Sequence, residues 1–171
     1  MIKIAFLTSL FSVVLFAQVL GDPVVLTQRA FGSKSVDTQN IILSGAQLQE
    51  LIKTSQQSIE SKLYRLYVAK NEAKVLGYGV LMNKKVRTKT AVALYLIGTD
   101  SKIKSIEIVA FNEPMEYLPT KTWLDGFDNK SSANVLKLNQ DIPTTTGATL
   151  SARAITDGAR AALALLEIVK P

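Results

Sequence analysis

The chain has 171 residues, 47% of them hydrophobic and 20% charged, with a formal net charge of +6. That describes one ordinary globular domain with a sizeable core and excludes a disordered chain. With no cysteine and no histidine, disulfides, Cys-ligated iron–sulfur clusters, c-type haem, a Ser-His-Asp triad and His-ligated metals are all ruled out, so any chemistry must use carboxylates, hydroxyls, lysines or a bound cofactor.

The N-terminus follows the pattern of an export signal. Lys3 gives a positive start, an apolar run extends from Ile4 to Leu20, and Val19 and Gly21 place small residues at a cleavage-site spacing. The expectation is a signal peptide over residues 1–21, cleaved before Asp22. The alternative is a retained anchor, since the run is close to the lower limit of about 17 residues for crossing a bilayer. Both readings put the remainder outside the cytoplasm, in the periplasm or its equivalent. Losing Lys3 leaves 19 basic residues against 14 acidic ones.

Residues 22–40 read as an irregular lead-in with one short strand. Ser44-Gly45-Ala46-Gln47 has the form of a capping box, and Leu48, Leu51 and Ile52 follow at helical spacing. This predicts an amphipathic helix from Gly45 to Ser55, extending toward Glu60. Four strand-like stretches come next, at residues 63–69, 74–81, 90–97 and 103–111, separated by turn signals at Asn71-Glu72, Asn83-Lys84-Lys85 and residues 98–101. Such short spacing predicts antiparallel hairpins. Gly77 and Gly79 inside a strand mark a bulge or a close approach of backbone. The basic cluster at residues 83–89 lacks interleaved aromatics and reads as a solvated hairpin rather than a nucleic-acid site, so no nucleic-acid partner is expected.

After Phe111 the pattern changes. Asn112-Glu113-Pro114 opens a loop with a second proline at Pro119, residues 120–127 predict a short helix with Trp123, Leu124 and Phe127 on one side, and Val135-Leu136-Lys137-Leu138 predicts a short strand. Residues 152–169 form an Ala-rich helix with Ser151 as its N-cap. The chain is therefore expected to be α+β: a twisted antiparallel sheet packed against the N-terminal-side helix and the C-terminal helix.

The segment Thr146-Gly147-Ala148-Thr149-Leu150-Ser151 runs into that last helix. Unpaired N–H groups and the helix dipole favour an anion there, and Gly147 permits close approach. On these grounds alone, a phosphate site and a plain helix cap both remain open.

The same segment, followed by an Ala-rich helix, resembles the flavinylation motif of the FMN-binding domain family. That family includes the extracytoplasmic subunits of the Rnf and sodium-translocating NADH:quinone reductase complexes, and stand-alone exported electron carriers. Gly77-Tyr78-Gly79, Asn112-Glu113-Pro114 and the Trp123, Phe127 pair occur in the corresponding order, so the resemblance runs from about Gly77 to the C-terminus. It implies FMN esterified through its phosphate to Thr149. Thr146, Gly147, Ala148, Leu150 and Ser151 would surround the phosphate, and Glu113 and Trp123 would be further cofactor-binding residues. It also implies a flavin transferase using FAD and a divalent metal, and membrane or periplasmic redox partners. Two departures stand out: Asp141 lies further before the threonine than the family's aspartate, and Ala152 occupies a common hydroxyl position. The expected organisation is a signal peptide at 1–21, a lead-in and helix at 22–60, and an FMN-binding domain at 61–171. The function implied is electron relay. A flavin-dependent reductase with its own small substrate and a non-redox secreted binding module are the alternatives.

Overall fold

The computed structural model describes residues 18–170. Most of the expected export signal lies outside them. Twelve elements succeed one another, among them a two-residue strand β1 (Gln18–Val19), α1 (Pro23–Phe31), β2 (Ser35–Ile42), α2 (Gly45–Ser55), β3 (Leu63–Asn71), β4 (Lys74–Lys85), β5 (Thr90–Gly98), β6 (Ile103–Phe111), α3 (Lys121–Leu124) and α4 (Thr149–Val169). Five strands form an antiparallel meander, and β1 adds to its β6 edge, giving the order β1-β6-β5-β4-β3-β2. The sheet is sandwiched. One face carries Leu66, Val68, Val80, Tyr95 and Ile97 against α2 and α4. The other buries Tyr67, Leu94, Leu96 and Val109 beneath Leu26, Ala30 and Phe31 of α1. The expected α+β class and the four hairpin-linked strands are therefore observed. The run from Ala93 to Ile97 is apolar without alternation because both its faces are covered.

The short strand expected in the lead-in is present as β2, but the residues before it form a helix, α1, instead of an irregular segment. Asp22 caps α1, its carboxylate accepting from the N–H groups of Val24 (2.7 Å) and Val25 (3.2 Å). Pro23 stands in the first turn and Gly32 ends the helix at φ 58°. Val24 and Val25 favour a strand by propensity, but the caps and the burial of the helix's inner face outweigh that preference. Strand β2 then pairs with β3 over its full length. It is polar because it is an exposed sheet edge, crossed by the Lys70–Asp37 ion pair at 2.6 Å.

Gly77 and Gly79 do mark a close approach. A Cβ at Gly77 would overlap the ring of Phe31, and one at Gly79 would press on Thr27 Oγ1. Between them, Tyr78 turns to the opposite face and is buried in the main core. The β3–β4 register shifts at Ala69/Lys70, beside Gly77.

Helix α2 has the predicted capping box, with Gln47 N–H donating to Ser44 Oγ and Ser44 N–H donating to Gln47 Oε1. It stops at Ser55 rather than running toward Glu60, because Gln56 turns left-handed at φ 55°. The strand expected at residues 135–138 does not form. Leu136 takes φ 48°, its N–H and that of Lys137 are bound by the Asp141 carboxylate, and only Leu138 makes an isolated bridge, to Ile142. A side chain has taken the donors that a partner strand would need.

Candidate functional site

Helix α4 starts three residues earlier than expected. Thr149 is its first residue and Ala148 occupies the N-cap position, with no side-chain cap. Ser151 therefore lies inside the first turn and is not the N-cap. Its side chain is 1% exposed, and its Oγ has no hydrogen-bond partner. An orphaned buried hydroxyl costs roughly 1–3 kcal/mol. The uncapped first turn offers its N–H groups and dipole to the same neighbourhood. Gly147 stands just before it at φ 80°, with nothing within 4 Å of where a Cβ would be. The left-handed backbone explains the glycine.

Thr149 is exposed, and its Oγ1 donates to the Thr145 carbonyl at 3.1 Å. Thr146 and Leu150 are exposed too, whereas Ala148 is buried. The motif thus presents one hydroxyl outward and one inward within a single turn.

The loop before the motif is held at two points. Trp123 Nε1–H donates to the Pro143 carbonyl at 2.8 Å, and the indole stands edge-on to Phe127 with ring centroids 5.2 Å apart. Trp123, Leu124 and Phe127 are all buried, as the one-sided pattern predicts, and Thr120 caps their short helix. Asp141 holds the other point. Burial raises its pKa, but the N–H groups of Lys137 and Leu136, with nearby Lys130, outweigh this and keep the carboxyl below its ordinary range.

Glu113 serves a different loop. Its Oε1 accepts from the N–H groups of Thr88 and Lys89 (both 2.8 Å), from that of Arg87 (3.2 Å), and from Thr88 Oγ1 (3.4 Å). These donors, the Lys89 N–H foremost, hold its carboxyl below the ordinary range. The basic segment at 83–89 is therefore the end of β4 and a tight turn organised by an internal carboxylate. Arg87 also stacks over the ring of Tyr117, 5.0 Å from its centroid.

A cavity of about 640 Å³ extends from Thr149 along α4. One wall is the helix face bearing Thr149, Arg153, Thr156, Asp157 and Arg160. Facing it are the loop from Ser132 to Thr144 and the end of α2 at Thr54 and Gln56. Arg160 closes the wall: its Nη2 pairs with Asp157 at 2.6 Å, its Nε donates to the Ser55 carbonyl at 3.2 Å, and its Nη1 donates to the Leu136 carbonyl. One guanidinium thus ties α2, α4 and the loop together. Lys84 lies on the α4 side of β4. Burial lowers its pKa, with Asp157 opposing the shift and Arg160 adding to it. A second cleft, of about 450 Å³, is lined by Phe31, Asp100 and Asp128 among others and shares no residue with the first.

Sequence reasoning named the motif and missed the wall beyond it. Arg153 and Arg160 were not singled out. Their signal was present: polar residues at 149, 153, 156 and 160 recur at helical spacing in an otherwise apolar helix.

The residues suit FMN in three respects: a buried hydroxyl without a partner, an uncapped helix start that welcomes a phosphate, and a basic cavity large enough for a ring system. No curated protein and no solved structure matches the chain. Residues 87–164, from the turn that Glu113 holds to the late turns of α4, match the family model of the FMN-binding domain; the chain is a flavin-binding protein that carries a domain of this family.

Proposed function

We propose that this protein is an extracytoplasmic electron carrier whose FMN is joined through its phosphate to Thr149 Oγ1. The observation that carries the reading is the pairing of an exposed Thr149 hydroxyl with the orphaned, buried Ser151 hydroxyl in one uncapped turn. A transferase can reach the first. The second sits buried in the same turn, whose first N–H groups are open to a phosphate. Gly147 keeps the approach clear.

When bound, FMN supplies the redox chemistry, taking up and releasing electrons one or two at a time. The chain's residues bind and orient it. Trp123 and Asp141 fix the loop on which the phosphate site hangs. Arg160 holds the cavity walls at a set separation, and Arg153 adds positive charge beside Thr149. A covalent tether suits a compartment with no flavin pool to replace a lost cofactor. The apolar, Lys3-led N-terminus supports export, with a flavin transferase and membrane or periplasmic redox proteins as partners.

The test is to co-produce the full chain with a flavin transferase, denature it, and pass it through a size-exclusion column. Flavin colour should travel with the polypeptide, bleach on reduction and return when a one-electron acceptor is added. Colour that leaves the chain on denaturation would overturn the ester while leaving flavin binding intact. A coloured protein that neither accepts electrons from native membranes nor passes them on would overturn the relay.

A further inference from the structure

The basic turn between β4 and β5 lines neither cleft, yet it stands at the same end of the molecule as Thr149. Helix α4 runs along β5 in the same sense. The Tyr95 hydroxyl donates to the Ile155 carbonyl, and Lys170 Nζ donates to the Thr99 carbonyl, both at 2.8 Å. The start of α4 therefore lies toward the start of β5, where Lys85 pairs with Thr90 across the turn. Lys84 agrees with this placement, being close enough to α4 for the charges of Asp157 and Arg160 to act on it.

That end is basic, and its charges are held in place. Lys85, Arg87 and Arg153 are exposed and Lys89 is half-buried, and among the described residues none of the four is in an ion pair. Glu113 binds three N–H groups of the turn, and the Arg87 guanidinium stacks over Tyr117. Cations fixed in advance lose little freedom when a partner arrives. Glu116 is an exposed acid on the loop that carries Glu113. The turns at the opposite end of the sheet are mixed instead, with Glu72 near Lys74 and Asp100 near Lys102. Two exposed apolar side chains belong to the basic end, Leu150 next to Thr149 and Met115 two residues after Glu113. A few apolar contacts within a charged surround suit a brief, oriented encounter rather than a permanent complex.

We infer that this end is the docking surface for a redox protein whose own cofactor opens on an acidic face, and that Lys85, Arg87, Lys89 and Arg153 steer that face onto the flavin. The inference deepens the proposed relay and rests on it, since a flavin tied to Thr149 exchanges electrons with whatever comes to this end. Opposite charges speed the encounter, and salt weakens the effect. A lipid headgroup would match the charge but has no cofactor with which to trade electrons.

The test uses the exported protein, co-produced with a flavin transferase, and an acidic two-iron ferredoxin as the probe. Oxidised ferredoxin is titrated into the isotope-labelled protein at low salt. Backbone amide signals of residues 85–89 and 149–153 should shift or broaden, those around Glu72 and Asp100 should not, and the changes should fade by about 0.3 M salt. This mapping needs no flavin. A chain that binds ferredoxin here without an ester at Thr149 sinks the flavin reading and keeps the surface, whereas a flavinylated chain whose 85–89 amides never respond sinks the surface alone. In anaerobic stopped-flow mixing, two reduced ferredoxins each pass one electron to the FMN, which takes its protons from water. Lys85→Glu combined with Lys89→Glu should slow this second-order step roughly tenfold and remove its salt dependence. Lys74→Glu combined with Lys102→Glu makes the same charge change at the opposite end and should leave the rate within about twofold. Equal slowing by both pairs would overturn the inference, because net charge alone would then explain it. So would phosphatidylglycerol vesicles that shift the 85–89 amides when ferredoxin does not, which would make the surface lipid-facing.

Discussion

The indole N–H of Trp123 donates to the carbonyl of Pro143 across 2.8 Å, linking the short helix after β6 to the loop that enters the Thr-Gly-Ala-Thr turn. This bond joins a short helix and a loop that share no backbone ladder, so one side chain holds their spacing. Replacing Trp123 with Phe keeps an aromatic ring beside Phe127 and removes the donor. The variant should lose about 1 kcal/mol of stability and take up flavin more slowly. Denaturant melts and a time course of flavin incorporation check both; unchanged incorporation would show that the loop needs no such hold.

Glu113 gives the fold an acid-sensitive turn. Its carboxyl is held below the ordinary range by three backbone donors, so the folded protein binds fewer protons there than the unfolded chain. The stabilisation is complete at neutral pH. It is lost as pH falls from the ordinary glutamate range through the lowered folded value. Unfolding free energies measured from about pH 7 down to about pH 3 should decline in the native protein, and Glu113→Gln should flatten part of that decline. Asp141 acts in the same direction, so some acid sensitivity should remain.

Tyr95 and Gly158 interlock beneath α4. The Tyr95 hydroxyl donates to the Ile155 carbonyl at 2.8 Å, and a Cβ at Gly158 would collide with that hydroxyl. Although alanine favours helix, Gly158→Ala should destabilise the protein by about 1–3 kcal/mol. Combining it with Tyr95→Phe should recover part of the loss, because the colliding oxygen is gone. A double-mutant cycle by denaturant unfolding measures the recovery.

Arg160 cannot be replaced by lysine without loss. A single ammonium cannot reach the Ser55 and Leu136 carbonyls and Asp157 in the planar geometry that the guanidinium provides. Arg160→Lys should cost about 2 kcal/mol and loosen the cavity wall. Amide exchange should accelerate around Leu136 and the end of α2, and the absorption bands of the bound flavin should shift.

The parts legible in the sequence are those governed by local signals. The capping box at Ser44 and Gln47 gave α2 its observed start, and turn residues between apolar runs separated the hairpins. Gly77 and Gly79 were readable as contact points, though not which helix they meet. That helix, α1, was hidden because Val24 and Val25 obey a strand rule, while the Asp22-Pro23 start and Gly32 stop point the other way. The segment at 135–138 misled for the converse reason. Its apolar residues suggest a strand, yet a carboxylate five residues on captures its N–H groups. The motif was legible as a resemblance, but its geometry was not. That Ser151 points inward and unpaired, while Thr149 faces out, depends on where α4 begins. The arginine-lined wall depends on an ion pair and two carbonyl contacts made across long stretches of chain.

The central claim is best tested by intact mass of the exported protein from a host with an active flavin transferase. The account predicts the polypeptide mass plus one FMN less one water, absent in Thr149→Ala and present in Thr149→Ser. Bare polypeptide mass in the native protein, or an adduct that persists in Thr149→Ala, would contradict it.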